Sequence, residues 1–575
     1  MNRWRSRRTR AAGDGAGVPA QARAAFRAGL ADAITDLTRV GDMYVDWARR
    51  EGTVAELAEA YWMRSVATAR AATHRALPAS QLTVLADAQH IAAEAGYWLA
   101  AAGRPADAVV AMDYSRAVLL SRLAGGLDPG VRARLVTAGR GDLLAAYLEA
   151  QRRRADAYRG LYSGTDEPVV AISRGDRSFR AGAASKLEGA QADLARFGRQ
   201  IAAVAGPLDP LGVPSYEVIQ AAARDAPVVY LAAAHVAGHA LIVRSGGEPV
   251  PVRLAELRSR QIAGRVSAFT ASAVSPRAVR NCVDWLSAAV LPALLAHLGQ
   301  DPEIALVPLG ALNLLPVGAA FVQATADRPT GPLTVRLLPN AQVAASAARW
   351  PAGGLTGRFL VADATRVPGA ELLPRSRREA ERLVRRYGAR RLCDATSETV
   401  LPAMDTAALV HFFCHGRADL ADPLSSGLRL MDGWLTVRTM FRRRPMRPQL
   451  VILTACESQF GGQVAPDEVI GLPAALFQAG AAGVIASQWK VGEQVALLTM
   501  RRFYDELDGG AAPALALARA QNWLRTAAKE ELMAAYPDLF PVARRASSRR
   551  PASPADAEPP YGSPAHWAAF TYTGI

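Results

Sequence analysis

The chain has 575 residues, half of them apolar and 21% charged, which argues against a disordered protein and favours a globular protein with more than one domain. The formal net charge of +15 is concentrated in arginine clusters at residues 3–10, 375–391, 438–447 and 544–550. The four cysteines lack CxxC spacing, so neither a disulfide framework nor a zinc site is indicated, and we expect a reducing, cytoplasmic location.

The basic clusters could attract nucleic acid or anionic lipid. No aromatic-interleaved basic motif accompanies them, so we expect nucleic acid to bind only non-specifically or through a partner. The chain contains no run of eighteen uninterrupted apolar residues, and we therefore expect no contact with a membrane. The nearest stretch, "APVVYLAAAHVAGHALIV", is interrupted by two histidines and a glycine.

The first 205 residues predict a tail followed by helices. Residues 1–18 are basic but lack the apolar core of a secretory signal, and we expect a disordered tail. Over residues 19–205, apolar residues recur at helical spacing, which predicts helical hairpins. The segment "AAEAGYWLAAAGRPADAVVAMDYSRAV" (92–118) resembles a tetratricopeptide repeat, with a small residue at Gly96, a turn glycine at Gly103 and a close-packing alanine at Ala108. The other helices match that repeat poorly, and an irregular bundle is the alternative.

From residue 215 onward the pattern predicts strands that alternate with helices. The stretch "PVVYLAAAHVAGHALIVRSGGEPVPVRL" predicts two strands joined near Gly238. Six short apolar runs follow between helical segments: "IALVP", "VRLLP", "RFLVAD", "ALVHFFCHG", "QLVILTAC" and "AGVIASQWKV". This alternation predicts a mostly parallel sheet covered on both faces. Residues 541–564 predict a flexible insertion, either an inert linker or a self-cleavage segment, before a final strand in "AHWAAFTYTGI".

Two of these strands end in residues that could cooperate in catalysis. One ends at His415 and Gly416, and the other ends at Cys456. The carboxyl ends of parallel strands lie at one edge of a sheet, about 5 Å apart for neighbours or about 10 Å with one strand between them. An imidazole there can take the proton of a thiol and make the sulfur a nucleophile, while the N–H groups of Gly416 and Cys456 could form an oxyanion hole. From spacing alone, a core histidine and a core cysteine are equally good interpretations.

Other histidines and cysteines predict structural roles. His411 lies deeper on the same strand as His415 and is interpreted as a core histidine. Cys414 points to the opposite face from His415, which predicts a buried apolar residue. His235 and His239 have metal-like spacing but no third ligand, so we expect no metal and no cofactor.

These motifs resemble the CHAT family, whose caspase-like domains often accompany tetratricopeptide repeats. "LVHFFCHG" and "LVILTACESQFGG" resemble the family's strands that end in His-Gly and in Ala-Cys-Glu, and three further stretches match in order: "IALVPLGALNLLPVGAAF", "DEVIGLPAALFQAGAAGVIASQWKV" and "HWAAFTYTG". The resemblance covers residues 215–575. It implies an α/β caspase–hemoglobinase-like three-layer sandwich with a mostly parallel sheet, preceded by an all-α, tetratricopeptide-like region.

The resemblance also implies an activity. His415 would be the general base and acid, Cys456 the nucleophile, and Gly416 with Cys456 the oxyanion hole of a cysteine endopeptidase. A protein substrate is implied, together with a protein or ligand activator at the N-terminal helices and a role in prokaryotic defence. A catalytically silent scaffold for protein assembly is the alternative.

Substrate preference has two opposing interpretations. Related proteases often bind a basic substrate residue through acidic groups. The candidates for such groups here are Glu457, Asp467, Glu468 and Glu493. A structural or solvated carboxylate is the alternative interpretation of each. The arginine-rich residues 441–448 could instead attract an acidic substrate or form a solvated loop. The sequence departs from the family at Gln488, where Leu is usual, and at Glu493, where Asp is common.

Overall fold

The computed structural model describes residues 17–31, 37–74, 84–118, 129–161, 174–205, 213–269, 274–329, 331–346, 358–441, 446, 448–455, 466–540 and 559–575. Cys456, Glu457, most of the predicted basic tail and residues 541–558 of the predicted insertion lie outside the described residues. The first described helix begins at Gly17, one residue before the predicted end of the tail.

Eight helices are described in the predicted helical region: α1 (Gly17–Ala31), α2 (Leu37–Glu51), α3 (Val54–His74), α4 (Ile91–Ala101), α5 (Pro105–Tyr114), α6 (Pro129–Thr137), α7 (Gly141–Leu161) and α8 (Arg174–Ala205). Helices α2 and α3 are separated only by Gly52 and Thr53. The Thr53 hydroxyl accepts from the N–H of Glu56, whose carboxylate accepts from the N–H of Thr53. This reciprocal pair satisfies two N–H groups at the start of α3.

Helices α4 and α5 form the hairpin predicted from the repeat-like segment. Gly103 connects them with a φ of +76°, a conformation that favours glycine. A Cβ atom at Gly96 would lie 2.4 Å from Sδ of Met112, so only a residue without a side chain allows this approach. Ala108 is fully buried. The close packing predicted at Gly96 and Ala108 and the turn predicted at Gly103 are confirmed, while membership of the tetratricopeptide class stays a prediction.

The described remainder contains fourteen strands: β1 (Val228–Ala233), β2 (Gly238–Val243), β3 (Val250–Leu254), β4 (Glu303–Pro308), β5 (Thr334–Leu337), β6 (Arg358–Asp363), β7 (Arg390–Cys393), β8 (Ala407–Phe413), β9 (His415–Arg417), β10 (Gly427–Leu430), β11 (Gly433–Thr436), β12 (Leu450–Thr454), β13 (Gly483–Ser487) and β14 (Phe570–Gly574). Eleven form one sheet in the order β3-β2-β1-β4-β5-β14-β13-β12-β8-β6-β7. Seven of its ten neighbouring pairs are parallel, which confirms the predicted mostly parallel sheet.

The helices described in this part of the chain are α9 (Tyr216–Gln220), α10 (Ser259–Phe269), α11 (Pro276–Leu298), α12 (Val317–Ala324), α13 (Ala341–Ser346), α14 (Pro374–Tyr387), α15 (Ser397–Met404), α16 (Val437–Phe441), α17 (Leu472–Gln478), α18 (Glu493–Asp508), α19 (Pro513–Thr526), α20 (Lys529–Ala535) and α21 (Pro564–Trp567). By length and composition alone, α11 could cross a membrane. Its apolar residues belong to the core beside the sheet, so this is weak evidence for a membrane span.

The large sheet lies between two helical layers. On β8, Leu409 and Phe413 pack into the core formed with α11 and α18, while Val410 and Phe412 pack against α15 and α17 on the other face. This alternation is what a strand buried on both faces requires. The predicted three-layer α/β arrangement is confirmed.

The N-terminal helices form part of one of these layers. Tyr230 of β1 belongs to the same buried cluster as Tyr44 of α2 and Leu99 of α4. The helical region therefore shares its core with the sheet. The domain boundaries drawn from the sequence, at 19–205 and 215–575, stay predictions.

A second, three-stranded sheet follows β8 after a single residue, Cys414. Its antiparallel order is β11-β10-β9, with Arg429 opposite both His415 and Trp434. The sequence did not predict this small sheet. Its strands have three or four residues, shorter than the apolar runs that mark the strands of the large sheet.

Candidate active site

The strands that precede His415 and Cys456 are direct neighbours. In the parallel pair β8 and β12, Phe413 lies opposite Thr454. His415 follows Phe413 by two residues, and Cys456 follows Thr454 by two residues. Because no strand lies between β8 and β12, the segments that follow them leave the sheet about 5 Å apart, the spacing of adjacent strands. Cys456 itself lies outside the described residues, so its pairing with His415 stays a prediction.

His415 is half-buried at the start of β9. Its Nε2 atom lies 2.7 Å from the backbone oxygen of Glu371, in the loop between β6 and α14. Because a carbonyl oxygen only accepts, Nε2 carries the hydrogen of the neutral ring and Nδ1 keeps its lone pair. The imidazole therefore presents Nδ1 as its basic atom. The neighbouring Gly416 is also half-buried and lies opposite Leu428 of β10.

Ser487 fixes the residue that precedes the predicted nucleophile. Its side chain, at the end of β13, is buried, and its hydroxyl donates to the carbonyl oxygen of Ala455 at 2.8 Å. No role for Ser487 was predicted from the sequence. The sequence does place a hydroxyl residue at the carboxyl end of the apolar run "GVIAS". That end lies at the same edge of the sheet as His415 and the segment that leads to Cys456, so Ser487 could have been predicted to lie near them.

His411 lies in the core directly beneath this edge. It is fully buried, with Nδ1 2.8 Å from the hydroxyl of Tyr504, Nε2 2.6 Å from the hydroxyl of Thr454, and its ring stacked on Phe413. Burial lowers the pKa of His411 to about 3, so the ring is neutral near pH 7. The interpretation as a core histidine is confirmed. Cys414 is buried in the cluster on the opposite face, also as predicted.

Two of the acidic substrate-binding candidates lie in a buried turn, Pro466–Glu468, which contacts the residues that follow α5. Arg116 donates from Nη1 to Oδ1 of Asp467 at 3.3 Å, and the N–H of Gly310 donates to the same oxygen at 2.6 Å. The N–H of Val118 donates to the Glu468 carboxylate at 3.2 Å. Both acidic side chains are thus engaged inside the protein, which favours the structural carboxylate among the roles considered for them.

Arg116 is the centre of a buried polar network between the helical region and the sheet. Its side chain has no exposed surface, and it also binds the side-chain oxygen of Asn313 at 3.1 Å and the carbonyl oxygen of Pro339. Nearby, Asp113 accepts from the Tyr230 hydroxyl at 2.6 Å. Burial lowers the pKa of Arg116 and raises that of Asp467, and the attraction between the two opposes both changes. The signal missed in the sequence was charge inside an apolar stretch, "AVVAMDYSRAV".

The remaining candidates divide between structural roles and the undescribed segment. The Glu493 carboxylate accepts from the N–H of Ser376 at 2.7 Å and so satisfies a free N–H in the first turn of α14. Glu457 lies outside the described residues. His239 is buried, and neither of its ring nitrogens has a hydrogen-bond partner among the described residues, whereas His235 is exposed. Among the residues with a described position, no three His, Cys, Asp or Glu side chains group as metal ligands would.

Comparison with known proteins places this site in a family. The CHAT domain model matches residues 280–575, just over half of the chain. No curated protein matches the chain. Two crystal structures of the Saccharomyces cerevisiae separase–securin complex are similar at 8% identity with a TM-score of 0.41 and at 7% identity with a TM-score of 0.42. Each match covers 97% of this chain and 53% of the other chain, so this chain spans about half the length of those proteins.

Proposed function

The chain belongs to the CHAT family, and from that premise we propose that it is a cysteine endopeptidase that uses His415 and Cys456 on a protein target. The observation that carries the proposal is the register of β8 and β12, with Phe413 opposite Thr454. Because of this register, the segments that lead to His415 and to Cys456 leave the sheet at neighbouring positions on one edge. A proton can pass between an imidazole and a thiol only within hydrogen-bond reach.

Each residue of the predicted site has a role in this reaction. Nδ1 of His415 takes the thiol proton of Cys456, and the sulfur attacks the carbonyl carbon of the scissile bond. The N–H groups of Gly416 and Cys456 bind the oxyanion that forms. The imidazolium then gives its proton to the leaving amine, which leaves a thioester. A water molecule, deprotonated by His415, hydrolyses the thioester and restores the thiol.

Regulation through the helical region is the second part of the proposal. Arg116 follows α5 and binds Asp467, which is eleven residues after Cys456. A protein or ligand that displaces the α4–α5 hairpin would change the position of the segment that leads back to the nucleophile. This buried connection supports an activator that binds the helices, and a defence role of the kind found among prokaryotic relatives is consistent with such control.

The test compares the reactivity of thiols in the full-length protein. A thiol-directed probe at neutral pH should label Cys456 at least about tenfold faster than the exposed Cys393, because pairing with an imidazole raises the thiolate fraction. His415→Ala should remove this difference. Cleavage of the protein target, with the activator present, should stop in Cys456→Ala and persist in Cys393→Ala.

The same measurements separate the peptidase from the silent scaffold. Equal labelling of Cys456 and Cys393 in the presence of the activator, or continued cleavage by Cys456→Ala, would sink the peptidase proposal. Substrate capture by the full-length Cys456→Ala protein then identifies the target, since a trapped complex cannot turn over.

A further inference from the structure

The outward face of the small sheet beside His415 carries two arginines and a tryptophan. Arg429 is directly opposite His415 on one side and directly opposite Trp434 on the other. Residues opposed in this way lie on the same face of an antiparallel sheet. Arg417 is two residues beyond His415 on β9 and therefore shares that face as well. We call Arg417, Arg429 and Trp434 the cationic platform.

The platform faces away from the protein core. Leu428, Leu430 and Leu435, which alternate with Arg429 and Trp434 along β10 and β11, are buried in the core on the other side. The Trp434 ring lies 4.4 Å from the guanidinium carbon of Arg417 and 5.9 Å from that of Arg429. The indole holds both cations by cation–π contact and so limits their motion.

Neither platform arginine forms an ion pair with a carboxylate of the described residues. Arg417 donates to the carbonyl oxygen of Ser425 at 3.3 Å, a neutral acceptor that does not neutralise the guanidinium group. The acidic neighbour Asp419 is occupied, because it accepts from the N–H of Asp422 and from the Ser425 hydroxyl. These hydrogen bonds, with the nearby charge of Arg417, hold the pKa of Asp419 below its usual value.

We propose that the cationic platform binds an acidic side chain of the peptide substrate, close to the scissile bond. The inference rests on the proposed peptidase function and names the substrate class of that site. Opposed residues have Cβ atoms about 5 Å apart, and an extended peptide advances about 3.3 Å per residue. The platform therefore reaches a carboxylate within roughly two residues of the bond that His415 and Cys456 attack. Arginine binds carboxylate oxygens with paired, charge-assisted hydrogen bonds.

The alternative preference, for a basic substrate residue, has less support among the described groups. Asp467 and Glu468 are engaged with the helical region, and Glu493 is engaged with α14. Within the described strands of the small sheet, the fixed charges on the face that carries His415 are the guanidinium groups of Arg417 and Arg429.

The test measures binding by the full-length Cys456→Ala protein, which cannot turn over a bound peptide. Two fluorescein-labelled peptide pools, randomised over uncharged residues, differ only in a central Asp or Asn. By fluorescence anisotropy the Asp pool should bind about tenfold more tightly than the Asn pool. Adding Arg417→Gln and Arg429→Gln together should reduce the preference to less than about twofold, because glutamine keeps length and polarity but not charge.

Arg265→Gln is the matched control. Arg265 also lies over an indole, 3.8 Å from the Trp285 ring centroid, and also donates to a backbone carbonyl, that of Gln261. This control should keep the full preference for the Asp pool. Equal binding of the two pools, binding of neither, or the same loss of preference in Arg265→Gln would overturn the proposal.

Cleavage of the same pools by the unmutated protein separates this inference from the proposed function. An Asp preference in binding without thiol-dependent cleavage would support the platform and count against the peptidase. Cleavage that depends on Cys456 but is indifferent to Asp or Asn would support the peptidase and overturn the platform.

Discussion

Arg116 and Asp467 form a buried ion pair, with 3.3 Å between Nη1 and Oδ1, that joins the end of the α4–α5 hairpin to the turn after the predicted nucleophile segment. The Arg116 side chain is 0% exposed and the Asp467 side chain is 12% exposed. Removing one member of such a pair leaves the other charge buried and uncompensated, which is more costly than losing a pair in water. This pair therefore couples the stability of the helical region to the position of the turn.

The Arg116→Met substitution should destabilise the protein by about 3–5 kcal/mol, since it leaves Asp467 buried without its cation. Chemical denaturation measures this change in the free energy of unfolding. Adding Asp467→Asn should recover part of the loss, because the second substitution removes the unpaired charge. If the double variant is as unstable as the sum of the single variants, the two side chains are not coupled.

The matched control is Arg64→Met, which removes another buried arginine of the helical region. Arg64 pairs with Asp42, whose side chain is 58% exposed and stays solvated when the arginine is lost. We expect a smaller loss of stability and no change in hydrogen exchange of residues 466–470. Arg116→Met should increase exchange there. Equal exchange in the two variants would contradict the coupling.

The large sheet was predictable because its strands are buried on both faces. Runs such as "QLVILTAC" and "AGVIASQWKV" are mostly apolar, and each contains a strand, β12 or β13. Strand β7 (Arg390–Cys393) escaped prediction, since this edge strand begins with two arginines and lacks an apolar run. Strand β3 escaped as well, because it is short and contains Pro251, a residue that disfavours strands.

The candidate site was predictable only where one residue type carries the chemistry. His415 stood out because it ends an apolar run, whereas the partners of Arg116 are separated from it by about 200 to 350 residues along the chain. The platform arginines gave no signal, because their common face depends on pairing between three strands too short for periodicity. His415 contacts the backbone oxygen of Glu371, and because every residue has a backbone oxygen, the sequence gives no sign of this contact.

Gly96→Ala should destabilise the helical hairpin by about 1–3 kcal/mol, a typical cost of overpacking. The new methyl group would lie 2.4 Å from Sδ of Met112 and 2.7 Å from Nε2 of His239. Gly189→Ala in α8 is the control, because nothing lies within 4 Å of its added Cβ, and alanine there should stabilise by about 0.5–1 kcal/mol. Thermal unfolding of both variants checks the prediction, and equal melting temperatures would contradict it.

Stability should fall as the pH drops from about 6.5 towards about 3. Burial lowers the pKa of both His411 and His239 to about 3, whereas an unfolded histidine takes up its proton near pH 6.5. The unfolded state therefore binds more protons in this window, and each buried histidine contributes up to about 1.4 kcal/mol per pH unit to the loss. Denaturation at several pH values should show a shallower slope in His239→Leu and in His411→Leu.

The two histidine variants should differ at pH 7. Neither ring nitrogen of His239 has a hydrogen-bond partner in the part of the chain that the structure describes, so leucine should be neutral or stabilising there. His411 bonds the hydroxyls of Tyr504 and Thr454, so His411→Leu should lose about 1–3 kcal/mol through the unsatisfied groups that remain. Equal stability of the two variants at pH 7 would contradict the assigned hydrogen bonds.

Ser487→Ala should lower the rate of target cleavage about tenfold while changing stability by only about 1 kcal/mol, the usual value of one hydrogen bond. The Ser487 hydroxyl holds the carbonyl oxygen of Ala455, directly before Cys456, so its loss lets the predicted nucleophile depart from its productive position. The control is Thr571→Val, which removes a 3.4 Å hydrogen bond to the carbonyl oxygen of Ala486 on the adjacent strand. It should leave cleavage unchanged. The measurements are the rate of thiol labelling at Cys456 and the rate of target cleavage. A positioning role requires both rates to fall in Ser487→Ala. A merely structural role would lower the melting temperature without slowing labelling of the folded protein.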